Sequence, residues 1–139
     1  MVHAGDLTPR EAYEKVRDDG DAVLVDVRTD AEWRFVGVPD LAELGREPVF
    51  VSWTPVEESA PGERFLAELA AAGVTPERGG PVVFLCRSGQ RSVGVADAAT
   101  AAGITPSYNV VDGFEGPLDA HGHRGSAGWR AEGLPWRQS

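Results

Sequence analysis

Short apolar runs and helically spaced apolar residues alternate along this chain. Ala22-Val23-Leu24-Val25-Asp26-Val27 is nearly continuous in apolar character, the pattern of a strand buried on both faces of a parallel sheet. Phe35-Val36-Gly37-Val38, before Pro39, reads as a short second strand and Val49 to Trp53 as a third. Pro81-Val82-Val83-Phe84-Leu85 is the clearest buried strand, and Tyr108 to Val111 is the fifth.

Between these runs the spacing changes to that of helices. Thr8-Pro9-Arg10-Glu11 supplies an N-cap, a proline at the first helical position and a glutamate three residues after the cap, predicting a helix over 9–19 that Gly20 ends. Thr29-Asp30-Ala31-Glu32-Trp33 predicts a capped single helical turn. Phe65, Leu66, Leu69, Ala70 and Ala72 recur at helical spacing before Gly73, and Ser92 to Ala102 reads as a helix stopped by Gly103. Residues 54–62 are polar and proline-bearing and read as a loop. Strand and helix in alternation favour a mainly parallel α/β sheet flanked by helices, because parallel neighbours need crossovers. From about residue 120 an ordered but irregular tail is expected, docked by Trp129, Leu134 and Trp136.

With 139 residues, the chain is expected to form a single domain over 1–139. A formal charge of −9 argues against nucleic acid or an anionic membrane as partner. No apolar run is long enough to span a membrane, and Met1 to Pro9 lacks the basic and apolar regions of a signal peptide. The single cysteine can form no internal disulfide and cannot alone make a thiolate metal site, which points to a reducing, cytoplasmic setting.

That cysteine, Cys86, follows the strand ending at Leu85, and in open α/β sheets ligands bind beyond the carboxyl ends of strands. A cysteine in this position is most often an inert core residue. The following Arg87-Ser88-Gly89-Gln90-Arg91-Ser92 changes the reading, because a plain strand-to-helix connection has no need of two arginines around a small-residue turn. The thiolate is the reactive form, and a thiol with a pKa of about 8.5 supplies only a few per cent of it near neutrality. Loop amides, the start of the next helix and Arg87 and Arg91 are the groups able to stabilise the anion. Gly89 permits the bend, while Ser88, Gln90 and Ser92 can line an anion pocket.

Cys-Arg-Ser-Gly-Gln-Arg-Ser at 86–92 resembles the active-site loop of rhodanese-like sulfurtransferases. Asp26-Val27-Arg28 with Glu32-Trp33, Asn109 to Phe114, and Gly128 to Trp136 match the same family in type and order, so the resemblance covers most of the chain. It implies a five-stranded sheet, Cys86 as the nucleophile that holds sulfur as a persulfide, and a small anionic donor such as thiosulfate. Arg87 and Arg91 would bind the donor's anionic part, and the amides of 87–91 would stabilise the persulfide. The acceptor would be cyanide, a thiol or a sulfur-accepting protein, with no cofactor. A carrier module serving a partner protein is the alternative. Related phosphatases and arsenate reductases place an arginine six positions after the cysteine; here that position is Ser92 and Arg91 comes five after, a shorter loop that suits sulfur over phosphate. Two segments depart from the family pattern, Gly37-Val38-Pro39-Asp40 after the second strand and Asp112-Gly113 in place of a glycine pair, and Asp112 brings a negative charge toward the mouth.

Asp26 and Arg28 read as structural support through charge-assisted hydrogen bonds. His121 and His123 have no thiolate or carboxylate pattern beside them and are assigned no metal. Trp33, Trp53, Trp129 and Trp136 read as packing anchors, and Glu57, Glu58 and Glu63 as a solvated face.

Overall fold

The computed structural model describes residues 2–53 and 63–138; the loop read at 54–62, with Glu57 and Glu58, lies outside the described residues. Five strands, β1 (Gly5–Leu7), β2 (Val23–Asp26), β4 (Val49–Phe50), β5 (Val82–Leu85) and β6 (Ser107–Val110), form one sheet in the order β1-β6-β5-β2-β4. Every pairing in it is parallel. A separate antiparallel ribbon joins β3 (Val38–Pro39) to β7 (Trp136–Arg137).

β5 lies at the centre, and all four of its residues are buried, as its unbroken apolar run requires. Its side chains alternate between two cores. Val82, Phe84 and Cys86 enter a core shared with Phe65 and Leu69 of α3 (Glu63–Ala71) and with Val95, Ala96 and Ala99 of α4 (Arg91–Ala101). Val83 and Leu85 enter the opposite core with Ala12 and Val16 of α1 (Pro9–Asp18), Phe114, Trp129 and Leu134. The tail thus covers part of one sheet face. Trp129 is fully buried, donates its indole N–H to the Pro135 carbonyl at 2.7 Å and meets Tyr13 edge-on.

The helix starts follow from local capping. Thr8 and Glu11 form a reciprocal capping box at α1, and Thr29 and Glu32 form another at α2 (Asp30–Phe35). Among the described residues, no helix is long and apolar enough to cross a membrane.

Two strand expectations need correction. Residues 35–38 do not supply a strand of the main sheet: the cap at Thr29 starts a helix that runs through Phe35, and Val38–Pro39 pairs with β7 instead. The sheet's remaining strand is β1, which joins the edge through β6. The strand expected over 49–53 is ladder-paired only at Val49–Phe50, although Val51 and Trp53 still donate to the carbonyls of Asp26 and Val27.

Candidate functional site

Cys86 follows the last residue of the central strand, so its sulfur lies at the carboxyl end of the sheet, where α4 begins. The Gly89 N–H donates to Sγ at 3.1 Å and the Ser92 N–H at 3.4 Å, with Ser92 Oγ also 3.1 Å away. Gln90 caps α4 without a side-chain hydrogen bond, so the sulfur takes the place of a capping oxygen for one of the free amides at the helix start. Cys86 is almost wholly buried. An anionic sulfur here is met by two N–H groups in a site that solvent barely reaches.

The turn after β6 braces the loop from behind. Phe114 N–H donates to the Cys86 carbonyl and Glu115 N–H to the Arg87 carbonyl, each at 2.9 Å. Gly113, at φ +58°, makes this approach possible, because a Cβ there would stand 2.4 Å from the Cys86 oxygen. Gly89 is constrained in the same way: it lies at φ +92°, and its Cβ would meet the Asp112 nitrogen at 2.8 Å. Asp112 itself adopts φ 64°, a left-handed conformation that aspartate tolerates better than most residues.

The two loop arginines have different surroundings. Arg91 Nη2 lies 3.0 Å from both carboxylate oxygens of Glu32, and both side chains are largely buried. Burial acts to raise the Glu32 pKa, but the Thr29 N–H and the Arg91 guanidinium outweigh it and hold the carboxyl below the ordinary glutamate range. Arg87 is exposed, and its Nε is 3.7 Å from Glu115 Oε2, a looser pairing. Ser88 is half-buried beside the sulfur loop, and Gln90 is exposed.

Asp26 and Arg28 lie deeper. They form a fully buried pair, Nη2 to Oδ2 at 2.7 Å and Nε to Oδ1 at 3.0 Å; Arg28 also donates to the Gly37 carbonyl at 2.8 Å. The Arg28 guanidinium lies 4.2 Å from the centre of the Phe114 ring, so this pair supports the residue whose amide holds the Cys86 carbonyl. Of the four tryptophans, Trp129 is buried, Trp53 packs against the core, Trp33 sits edge-on to Phe50, and Trp136 remains 40% exposed while meeting Phe114.

Three residues around the sulfur loop went unassigned as site residues in sequence. Glu32 was legible as part of the capped turn over 29–33 and of the family resemblance, but not as the partner of Arg91. Glu115 carried no signal. Asn109, buried on β6, pairs its Oδ1 with Ser92 Oγ and its Nδ2 with Asp6 Oδ1, and only the strand register brings these residues together.

The geometry has counterparts among known proteins. Residues 5–139 match the family model of the STR4 middle domain. The crystal structure of a Mycobacterium tuberculosis protein superposes with a TM-score of 0.85, at 60% identity and over 99% of each chain. The solution structure of a polysulfide-sulfur transferase homodimer from Wolinella succinogenes superposes with a TM-score of 0.65, at 26% identity, over 96% of this chain and 78% of that one. The chloroplastic rhodanese-like domain-containing protein 4 of Arabidopsis thaliana is 32% identical over 127 residues, which make up 91% of this chain and 24% of the plant protein. A match across nearly the whole length, on a sheet of this order, settles the kinship: the chain belongs to the STR4 middle domain family, a branch of the rhodanese-like domains.

Proposed function

We propose that this protein is a sulfurtransferase of the thiosulfate type, in which Cys86 takes sulfane sulfur from a small anionic donor and passes it on from a persulfide. The observation that carries the reading is the cradle itself, with the Gly89 and Ser92 amides aimed at a buried sulfur where a helix begins. Membership of a sulfurtransferase-type superfamily supports it.

In the first step the Cys86 thiolate attacks the outer sulfur of thiosulfate. The donor's S–S bond breaks, sulfite leaves with the bonding pair, and Cys86-S-S⁻ forms. In the second step cyanide or a thiolate attacks the terminal sulfur, giving thiocyanate or a new persulfide and returning the Cys86 thiolate. Electrons balance within each displacement, so neither step calls for a cofactor. The loop amides offset negative charge on the transferred sulfur. Arg87 is the better placed of the two arginines to meet a donor's anionic end, because Arg91 is engaged by Glu32. Polysulfide, named for the Wolinella relative, is a donor of the same chemical class. A reducing cytoplasm would keep the lone thiol free.

A carrier role, in which a protein partner supplies or accepts the sulfur, is favoured by the acidic groups near the mouth. Glu115 accompanies Arg87, and Asp112 stands against the loop at Gly89. Steady-state sulfur transfer from thiosulfate to cyanide separates the two readings. Turnover that Cys86→Ser abolishes, with a raised KM for thiosulfate in Arg87→Ala, is the expected result. Sulfur loading without turnover would replace the enzyme reading by the carrier.

A further inference from the structure

A hydrogen-bonded chain leads from the sulfur to the far edge of the sheet. Register sets Asn109 of β6 between Phe84 of β5 and Asp6 of β1. Ser92 Oγ, 3.1 Å from Cys86 Sγ, also pairs with Asn109 Oδ1. Asn109 Nδ2 then donates to Asp6 Oδ1 at 3.2 Å, the same oxygen meets His3 Nε2 at 2.8 Å, and His3 Nδ1 reaches Asp97 Oδ1 of α4 at 2.6 Å. Asn109 is 1% exposed, whereas the Asp6 side chain is about half exposed.

The direction of this chain is set at its outer end. An ionised carboxylate only accepts, so Asp6 takes the Asn109 amide N–H and the amide must turn its carbonyl toward Ser92. That carbonyl also only accepts, so it takes the single hydroxyl proton of Ser92 and leaves an oxygen lone pair facing the sulfur. A thiol satisfies this arrangement by donating S–H to Oγ. A thiolate does not, because an acceptor then faces an acceptor. Two amides favour the sulfur anion, while the hydroxyl is set against it.

We infer that Asp6 and Asn109 are positioning residues that hold the Ser92 hydroxyl as an acceptor and so restrain formation of the Cys86 thiolate. The inference rests on the sulfur-transfer reading only for the use made of that thiolate. Stabilising the anion through Ser92 requires the chain to invert, with Ser92 donating to sulfur, Asn109 donating to Ser92, and a donor in the place of Asp6. Asp6 resists that role: its hydrogen bond with His3, and then that with Asn109, hold its carboxyl below the ordinary aspartate range. His3 lies between two carboxylates; burial works to lower its pKa, yet the bonds to Asp6 and Asp97 outweigh it and raise it, which favours the protonated ring beside Asp6.

Among the described residues, the charged groups about the sulfur loop are its own Arg87 and Arg91, Glu32 of α2, Asp112 and Glu115 after β6, and the Asp26–Arg28 pair at the end of β2. Among the described residues, those about Asp6 are His3 and Asp97. Asp6→Asn leaves the charged groups about the sulfur loop in place, keeps the side-chain shape, and places a donor where Asn109 needs one to turn round; it also removes the carboxylate that faces His3.

The test is a pH titration of ultraviolet thiolate absorbance, corrected by subtracting the Cys86→Ser protein, for the wild type, Asp6→Asn, Ser92→Ala and the double variant. Asp6→Asn is expected to move the profile about one pH unit toward acid, the worth of one restored hydrogen bond to a charged group. In the Ser92→Ala background the same substitution is expected to move nothing. Equal movement in both backgrounds would mean simple removal of charge, and no movement in either would mean no coupling; both overturn the inference. The titration needs no sulfur donor, so its outcome is independent of whether Cys86 carries sulfur.

Discussion

Replacing Glu32 by glutamine separates two jobs that one side chain performs. Its Oε1 accepts the Thr29 N–H at 3.0 Å, which caps α2, and both carboxylate oxygens lie 3.0 Å from Arg91 Nη2. Glutamine keeps the cap and removes the charge. The ion pair is neither a surface pair, worth about 0–1 kcal/mol, nor a fully buried one, whose breakage costs about 3–5 kcal/mol. With side-chain exposures of 25% for Arg91 and 16% for Glu32, a loss of about 2 kcal/mol is expected at neutral pH, a fall of about 8 °C in Tm for a chain of this size. The pH dependence has a definite sign. Because Glu32 is held below its ordinary range in the folded chain, its contribution is fully present above the unfolded value of about 4.3 and is lost as pH falls through the folded value. Urea unfolding of wild type and Glu32→Gln should therefore differ by a constant amount between about pH 6 and 8 and converge below about pH 4. Equal stability at neutral pH, or a gap that widens on acidification, would show that the Glu32–Arg91 pair does not stabilise the fold.

Further substitutions address the loop and its support. Gly89→Ala should cost about 3 kcal/mol and depress sulfur loading, since a Cβ at φ +92° would press on the Asp112 nitrogen and displace the amide that faces the sulfur; chemical denaturation and mass spectrometry read both effects. Asp112→Gly should stabilise by about 1 kcal/mol by relieving a left-handed aspartate, and it should lower the KM for thiosulfate by removing a negative charge near the loop. Trp129→Ala should cost about 3–5 kcal/mol in urea unfolding, because it empties a site at the centre of the tail-covered core.

Those parts of the fold that depend on neighbours in sequence were legible. The capping boxes at Thr8 and Thr29 each lie within one helical turn, and the apolar runs of β2 and β5 announce burial on both faces. β1 was not legible: Gly5-Asp6-Leu7 has no apolar run and becomes a strand only by pairing with β6, about a hundred residues later. The ribbon of β3 and β7 has two residues on each side and likewise exists through a distant partner. The same division runs through the site. Cys86 and its loop form one contiguous segment, so position and residue type suffice to single them out as candidates. The Glu32–Arg91 pair spans 59 positions and the Asn109–Asp6 contact 103, and no local pattern encodes either. Arginines that look equivalent in sequence are therefore distinguished only by the carboxylates the fold sets beside them.

The measurement that bears most directly on the account is the intact mass of the protein after exposure to thiosulfate or polysulfide and removal of excess donor. The expected result is one added sulfur atom on the wild type, removed again by cyanide, and none on Cys86→Ser. Absence of the added sulfur with every sulfane donor, or its presence on Cys86→Ser, would contradict a persulfide held in the Cys86 cradle.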